Sequence, residues 1–201
     1  MHRPALLPNS TMYTLRLATS PLWTQTVLAN FDAFLLDHAA AEKKASGMAM
    51  SMVSHYPDKL DIVTSMVDLA LEELAHFRQV VKILHQRGLI LAADKPDTYV
   101  NSLRQLQRKG SDVYLLDRLL IGSIVEARGC ERFGLIAAAL EPGELQQFYV
   151  AITESEARHE DIFYKLAANY FPASIINERL DQLLDAEAQI LASLPIQAAL
   201  H

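Results

Sequence analysis

Apolar residues return along this chain at alternating steps of three and four, the spacing that lines one face of an α-helix. Four long seams obey it. The first holds Leu35, His38, Glu42, Ala45, Ala49 and Met52, and the second Ile62, Met66, Leu69, Glu73, His76, Val80 and Ile83. The third holds Leu116, Leu119, Ser123, Glu126, Cys130, Phe133, Ala137 and Leu140. The fourth holds Leu145, Tyr149, Ile152, Glu156, His159, Phe163, Leu166 and Tyr170. Few stretches alternate with period two, so the pattern predicts an all-α chain.

Prolines and glycines punctuate the seams. Helices are expected over Asn30–His55, stopped before Pro57, and over Asp58–Arg87, stopped at Gly88. Two more are expected over Ser111–Leu140, ended by Glu141-Pro142-Gly143, and Gly143–Tyr170, stopped by Pro172. A fifth covers Ala173–Leu194, and Thr19-Ser20-Pro21 has the form of an N-cap opening a helical stretch that carries Trp23. Leu89 to Gly110 is a long crossover with room for a short helix over Pro96–Lys109. Two helix pairs joined by one long connection match the ferritin-like four-helix bundle. The expectation is a single ferritin-like domain spanning 1–201, with flanking helices added, and that length suits one domain with a real core.

Composition narrows the class. Hydrophobic residues make up 51% of the chain, yet no run approaches the roughly 18 consecutive apolar residues of a membrane span. The opening MHRPALLPNSTMYTLRLATSP lacks the apolar core and cleavage site of a secretory signal. The one cysteine, Cys130, excludes an internal disulfide and any cysteine-pair metal site. A cytoplasmic protein is expected. The net charge of −6 argues mildly against a nucleic-acid partner, though part of that acidity is internal if glutamates face metal ions.

Each seam places a glutamate near its middle, where charge does not belong. Ionised carboxylates buried without partners cost many kcal/mol, so they are protonated or face cations. Two of them precede a histidine by three residues, in EELAH (72–76) and SEARHE (155–160). That spacing puts carboxylate and imidazole on one helical face about a turn apart, within reach of one ion. A lone Glu from each of two helices and Glu-x-x-His from each of the other two is the ligand arrangement of di-iron carboxylate proteins. The candidates are Glu42, Glu73, His76, Glu126, Glu156 and His159, three per ion in two similar halves. Hard carboxylates with one imidazole suit iron or manganese.

A lone Glu-x-x-His is more often a solvated pair, and one buried glutamate is more often a protonated core residue; four matched glutamates with two histidines are neither. Some alternatives stay open on spacing. Glu131 lies on a stripe beside that of Glu126, and Glu72 competes with Glu73. His38, one turn before Glu42, reads as a satisfied core histidine more readily than as a partner of the site, and Cys130 reads as packing. Gly122, Ser123, Gly129 and Gly134 surround Glu126 and fit either close helix packing or a substrate cavity.

The stretches LATSPLW (17–23), LLDHAAAEKKAS (35–46), LALEELAHFRQVVKILHQRGL (69–89), IVEARGCERF (124–133) and SEARHEDIFYKLA (155–167) resemble the MiaE family of tRNA hydroxylases. The resemblance covers roughly residues 15 to 170; the region after Pro172 carries no usable motif. It implies a non-haem di-iron monooxygenase with two Fe ions, its ligands mapping onto the same six residues. It implies hydroxylation of the isopentenyl group of 2-methylthio-N6-isopentenyladenosine in tRNA, with O2 as co-substrate and two electrons. No redox cysteines are present, so an external reductase or ferredoxin-like partner is expected. Candidate tRNA contacts are Lys43, Lys44, Arg87, Lys95, Arg104, Arg108 and Lys109, the Arg104-x-x-x-Arg108-Lys109 pattern being placed on the short crossover helix. The alternative is a ferritin-like iron-oxidising protein, which needs a cage-forming oligomer. A rubrerythrin-like peroxidase usually adds a Cys-x-x-Cys iron module that one cysteine cannot make, and a metal-free bundle would carry no iron.

Overall fold

A computed structural model describes residues 13–201; Pro4, Pro8 and most of the opening stretch read for a secretory signal lie outside them. Among the described residues seven helices follow the expected order: α1 (Pro21–Ala29), α2 (Phe31–His55), α3 (Leu60–Gln86), α4 (Thr98–Gln105), α5 (Ser111–Ala139), α6 (Glu144–Tyr170) and α7 (Ala173–Ser193). No strand occurs among the described residues, and no described helix is long and apolar enough to cross a membrane.

The helix boundaries have local causes. Ser20 opens α1, its carbonyl accepting from the Trp23 N–H at 2.9 Å and its hydroxyl from the Leu22 N–H at 3.3 Å. Gly88 ends α3 at φ +74°, where its N–H bonds the His85 carbonyl and the Leu89 N–H bonds that of Leu84, the paired closure that a left-handed residue permits. Asp97 caps α4 by accepting from the Val100 N–H at 2.9 Å. That helix stops at Gln105, four residues short of Lys109. The reason is Asp117, which takes the Arg108 N–H at 2.8 Å, while Arg179 donates to the Leu106 carbonyl at 2.8 Å.

The chain divides into two compact units. One holds Gln25–Pro96 and Gln197–Leu200, with α2 packed on α3. Its core includes Leu35, Ala49, Met52, Ile62, Met66, Leu69 and Val80, as the seams require. Two positions shift by one residue: Ser46 and Leu84 are buried, whereas Ala45 and Ile83 are only half so. The other unit holds the chain up to Thr24, Asp97–Ile196 and His201. There α5 packs on α6, and α7 packs on α4, α5 and α6. Leu116, Leu119, Phe133, Tyr149, Ile152 and Phe163 form its core. Seam ends Leu140, Leu145 and Tyr170 are half-buried, as expected where helices run out.

Candidate metal centre

In the α2–α3 unit three ligand candidates converge. Glu42, Glu73 and His76 are 3%, 1% and 7% exposed, so these polar side chains face the interior. Nδ1 of His76 lies 3.5 Å from Oε2 of Glu42 and 3.6 Å from Oε2 of Glu73. His38, wholly buried, lies with Nε2 at 2.6 Å from Oε1 of Glu42, where an ionised carboxylate can only accept. It is therefore a partner of the site as well as a satisfied core residue. Burial disfavours the Glu42 carboxylate, but hydrogen bonds from His38 and His76 outweigh it and hold its pKa well below the carboxylate range. Burial likewise disfavours a charged His76, yet Glu42 and Glu73 raise its pKa to about 9. The Glu42 and Glu73 carboxylates thus favour positive charge between them.

The α5–α6 unit repeats the trio. Nδ1 of His159 lies 3.5 Å from Oε2 of Glu156 and 4.0 Å from Oε2 of Glu126, and all three residues are buried. Glu131 turns elsewhere: it accepts from the Thr19 N–H at 2.8 Å and the Thr19 hydroxyl at 2.7 Å, and pairs with Arg128. Glu72 is only half-buried, whereas Glu73 is fully so. Donor atoms bound octahedrally at about 2 Å stand about 3 Å apart. The observed separations thus need only small side-chain movements to close on an ion. Two carboxylates and one imidazole per unit are a hard donor set suited to iron, so the residues fit the group.

Two of the small residues of α5, Gly122 and Ser123, serve packing. A Cβ at Gly122 would stand 2.9 Å from two carbons of the Phe163 ring, so the missing side chain lets α6 approach. Ser123 donates to the Glu160 carbonyl at 3.1 Å and meets the Tyr13 hydroxyl at 2.9 Å. Cys130 is buried against the Thr153 carbonyl, and burial, with the nearby glutamates, pushes its thiol up to about 12.

A buried charged network in the α5–α6 unit escaped the sequence reading. Arg128 and Glu187 are both wholly buried; the Tyr99 hydroxyl also donates to Glu187 at 2.8 Å, and Arg128 donates to the Leu17 carbonyl at 2.8 Å. Arg132 stacks over Trp23, its guanidinium 4.8 Å from the ring centroid. A signal was available. Glu187 continues the run Ile176, Leu180, Leu183 at steps of four, three and four, the same misplaced charge that marks Glu42.

Most of the basic candidates are engaged locally. Lys43 pairs with Asp94 at 2.8 Å, Lys44 donates to the Lys95 carbonyl at 2.7 Å, and Arg87 pairs with Asp32 at 2.6 Å. Arg108 lies beyond the end of α4 and pairs with Asp117 at 2.7 Å. Arg104 and Lys109 are exposed.

An all-helical chain with Glu and Glu-x-x-His trios on two helix pairs is of the ferritin-like class, and its buried donors are compatible with a di-iron site. Among solved structures, a Synechococcus protein with aldehyde deformylating oxygenase activity matches it at a TM-score of 0.88 and 32% identity, over 93% of each chain. The chain belongs to the MiaE family, whose model, described as tRNA-(MS[2]IO[6]A)-hydroxylase, matches residues 6–201. A Pseudomonas putida relative named tRNA 2-(methylsulfanyl)-N(6)-isopentenyladenosine(37) hydroxylase is 36% identical over 87% of this chain and 85% of its own length. A Salmonella typhimurium relative of the same name is 32% identical over 78% of this chain, which spans 57% of that protein.

Proposed function

We infer that this protein hydroxylates the isopentenyl group of 2-methylthio-N6-isopentenyladenosine in tRNA, as a di-iron monooxygenase. The observation that carries the reading is the paired trio: Glu42, Glu73 and His76 on one helix pair, and Glu126, Glu156 and His159 on the other, all buried, in a chain of the MiaE family. In this reading each trio holds one of two iron ions. Bound iron supplies the activation of O2. In the overall reaction one oxygen atom enters a C–H bond of the substrate, and the other leaves as water with two electrons and two protons from outside. No second cysteine is present to shuttle those electrons, so a separate reductase or ferredoxin-like protein delivers them.

The residues of this chain do the rest. Glu73 and Glu156, one turn from their histidines, hold carboxylate and imidazole on a shared face. His38 keeps Glu42 oriented through its short hydrogen bond. The apolar residues around both trios, Met66, Leu69, Phe133 and Ile152 among them, exclude water from the oxidising chemistry. Exposed Arg104 and Lys109 offer charge to tRNA phosphates, with Lys43, Lys44, Arg87 and Arg108 contributing where their acidic or carbonyl partners release them. A modified tRNA as substrate puts the work in the cytoplasm.

The test is mass analysis of nucleosides from tRNA incubated with the iron-loaded protein, a reductant and O2. The methylthio-isopentenyl adenosine gains one oxygen atom with the parent and none with Glu73→Ala. No gain with the parent, under conditions where iron is bound and reduced, rules out the hydroxylase.

A further inference from the structure

Helix α3 carries a second apolar seam, distinct from the buried one that holds Glu73 and His76. Leu60, Val67, Leu71 and Leu74 are 78%, 36%, 63% and 47% exposed. Thr64, Arg78 and Val81 continue the same spacing, so positions 60, 64, 67, 71, 74, 78 and 81 alternate steps of four and three. An outward helical stripe is normally polar, and a run of exposed large apolar side chains marks a contact surface. The 3.5-residue repeat is that of a helix packing lengthwise on another helix.

The flanking charges name the occupant. Asp61 and Asp68 lie along the N-terminal half of the seam and Lys82 along the C-terminal half, where Arg78 stands in the seam itself. Parallel pairing of two such helices sets acid on acid and base on base. Antiparallel pairing sets Asp61 against Lys82 and brings Arg78, packed on Val67, beside Asp68, twice over. A two-fold axis crossing α3 between Leu71 and Leu74 makes each Leu71 pack on Leu74 of the other copy. Such a self-complementary contact closes at two chains. A polyanion such as RNA has no use for a seam that is apolar along its centre and acidic at one end. We propose that α3 is a homodimer interface, two copies of this chain pairing antiparallel along the Leu60–Val81 seam.

The test is sedimentation velocity on the full, iron-loaded chain from about 1 to about 100 µM, the range in which a modest dimer is read. The parent sediments as a dimer at the upper end, and Leu71→Lys as a monomer throughout. Asp61→Lys raises the dissociation constant at least about tenfold, and adding Lys82→Asp to it restores dimerisation, since the exchanged charges again face opposites. A parent that is monomeric at the highest concentration overturns the proposal, as does a dimer indifferent to Leu71→Lys. A double variant no tighter than Asp61→Lys alone overturns the antiparallel register.

Discussion

Arg128 and Glu187 meet at 2.8 Å, and neither side chain has any exposed surface. The pair ties α5 to α7, and through the Leu17 carbonyl, Thr19 and Tyr99 it also fastens the N-terminal segment and α4. Removing one partner strands the other charge in the interior, which costs about 3–5 kcal/mol. Arg128→Ala should therefore lower stability to chemical denaturation by about that amount. Replacing both residues by apolar ones, in Arg128→Met with Glu187→Leu, should recover a large part of it. A single variant as stable as the parent would show that the pair contributes nothing.

His38 should govern how tightly the α2–α3 trio holds metal. Its bond to Glu42 is 2.6 Å long and buried, and the loss of such supporting partners weakens metal binding about 10–100-fold. His38→Ala is expected to lose iron on gel filtration while its helix content stays that of the parent. Iron per chain, measured colorimetrically beside circular dichroism, reads this directly.

Asp117 sets an acid limit on the fold. Its buried carboxylate accepts from Arg108 at 2.7 Å and Arg179 at 2.8 Å. Burial raises its pKa, but these bonds outweigh it and bring the folded value below the ordinary one. A depressed folded pKa means stability that is complete above about pH 4, the unfolded pKa, and lost as pH falls through the lower folded value. Asp117→Asn should cost about 2 kcal/mol at neutral pH and flatten the fall in stability below pH 4. Denaturant melts across that range test both halves of the statement.

Gly122 is expected to resist even alanine. The added methyl meets the Phe163 ring at 2.9 Å, and that ring is wholly buried. Overpacking of this kind costs about 1–3 kcal/mol, offset by the roughly 1 kcal/mol that alanine gains over glycine in a helix. Gly122→Ala should be less stable by about 1 kcal/mol. Gly129→Ala, whose methyl finds only ordinary contacts at 3.9 Å, should be neutral or stabilising.

Cys130 should be chemically silent. With its thiol buried and pushed up to about 12, alkylation by iodoacetamide at pH 8 should be slow in the folded chain and fast in denaturant. Equal rates in the two states would contradict the burial.

Helix order, the stop at Gly88 and the two Glu-x-x-His faces follow from residue spacing, because a helix repeats every 3.6 residues whatever surrounds it. The misplaced glutamates were legible for the same reason: a charge on an apolar seam is visible without knowing what packs against it. Other features depended on contacts between residues far apart in the chain. Glu131 and Glu126 sit on adjoining stripes of one helix, and only Thr19 and Arg128 draw Glu131 away. The early end of α4 comes from Asp117 and Arg179, the closeness at Gly122 from Phe163 on α6, and the role of His38 from the rotamer that brings its ring to Glu42. The sequence by itself determined the four inward seams to within a residue, since that is a property of local periodicity, but not the buried Arg128 and Glu187. Tertiary structure decided which inward polar groups meet each other, since a buried group must find whatever partner packing delivers.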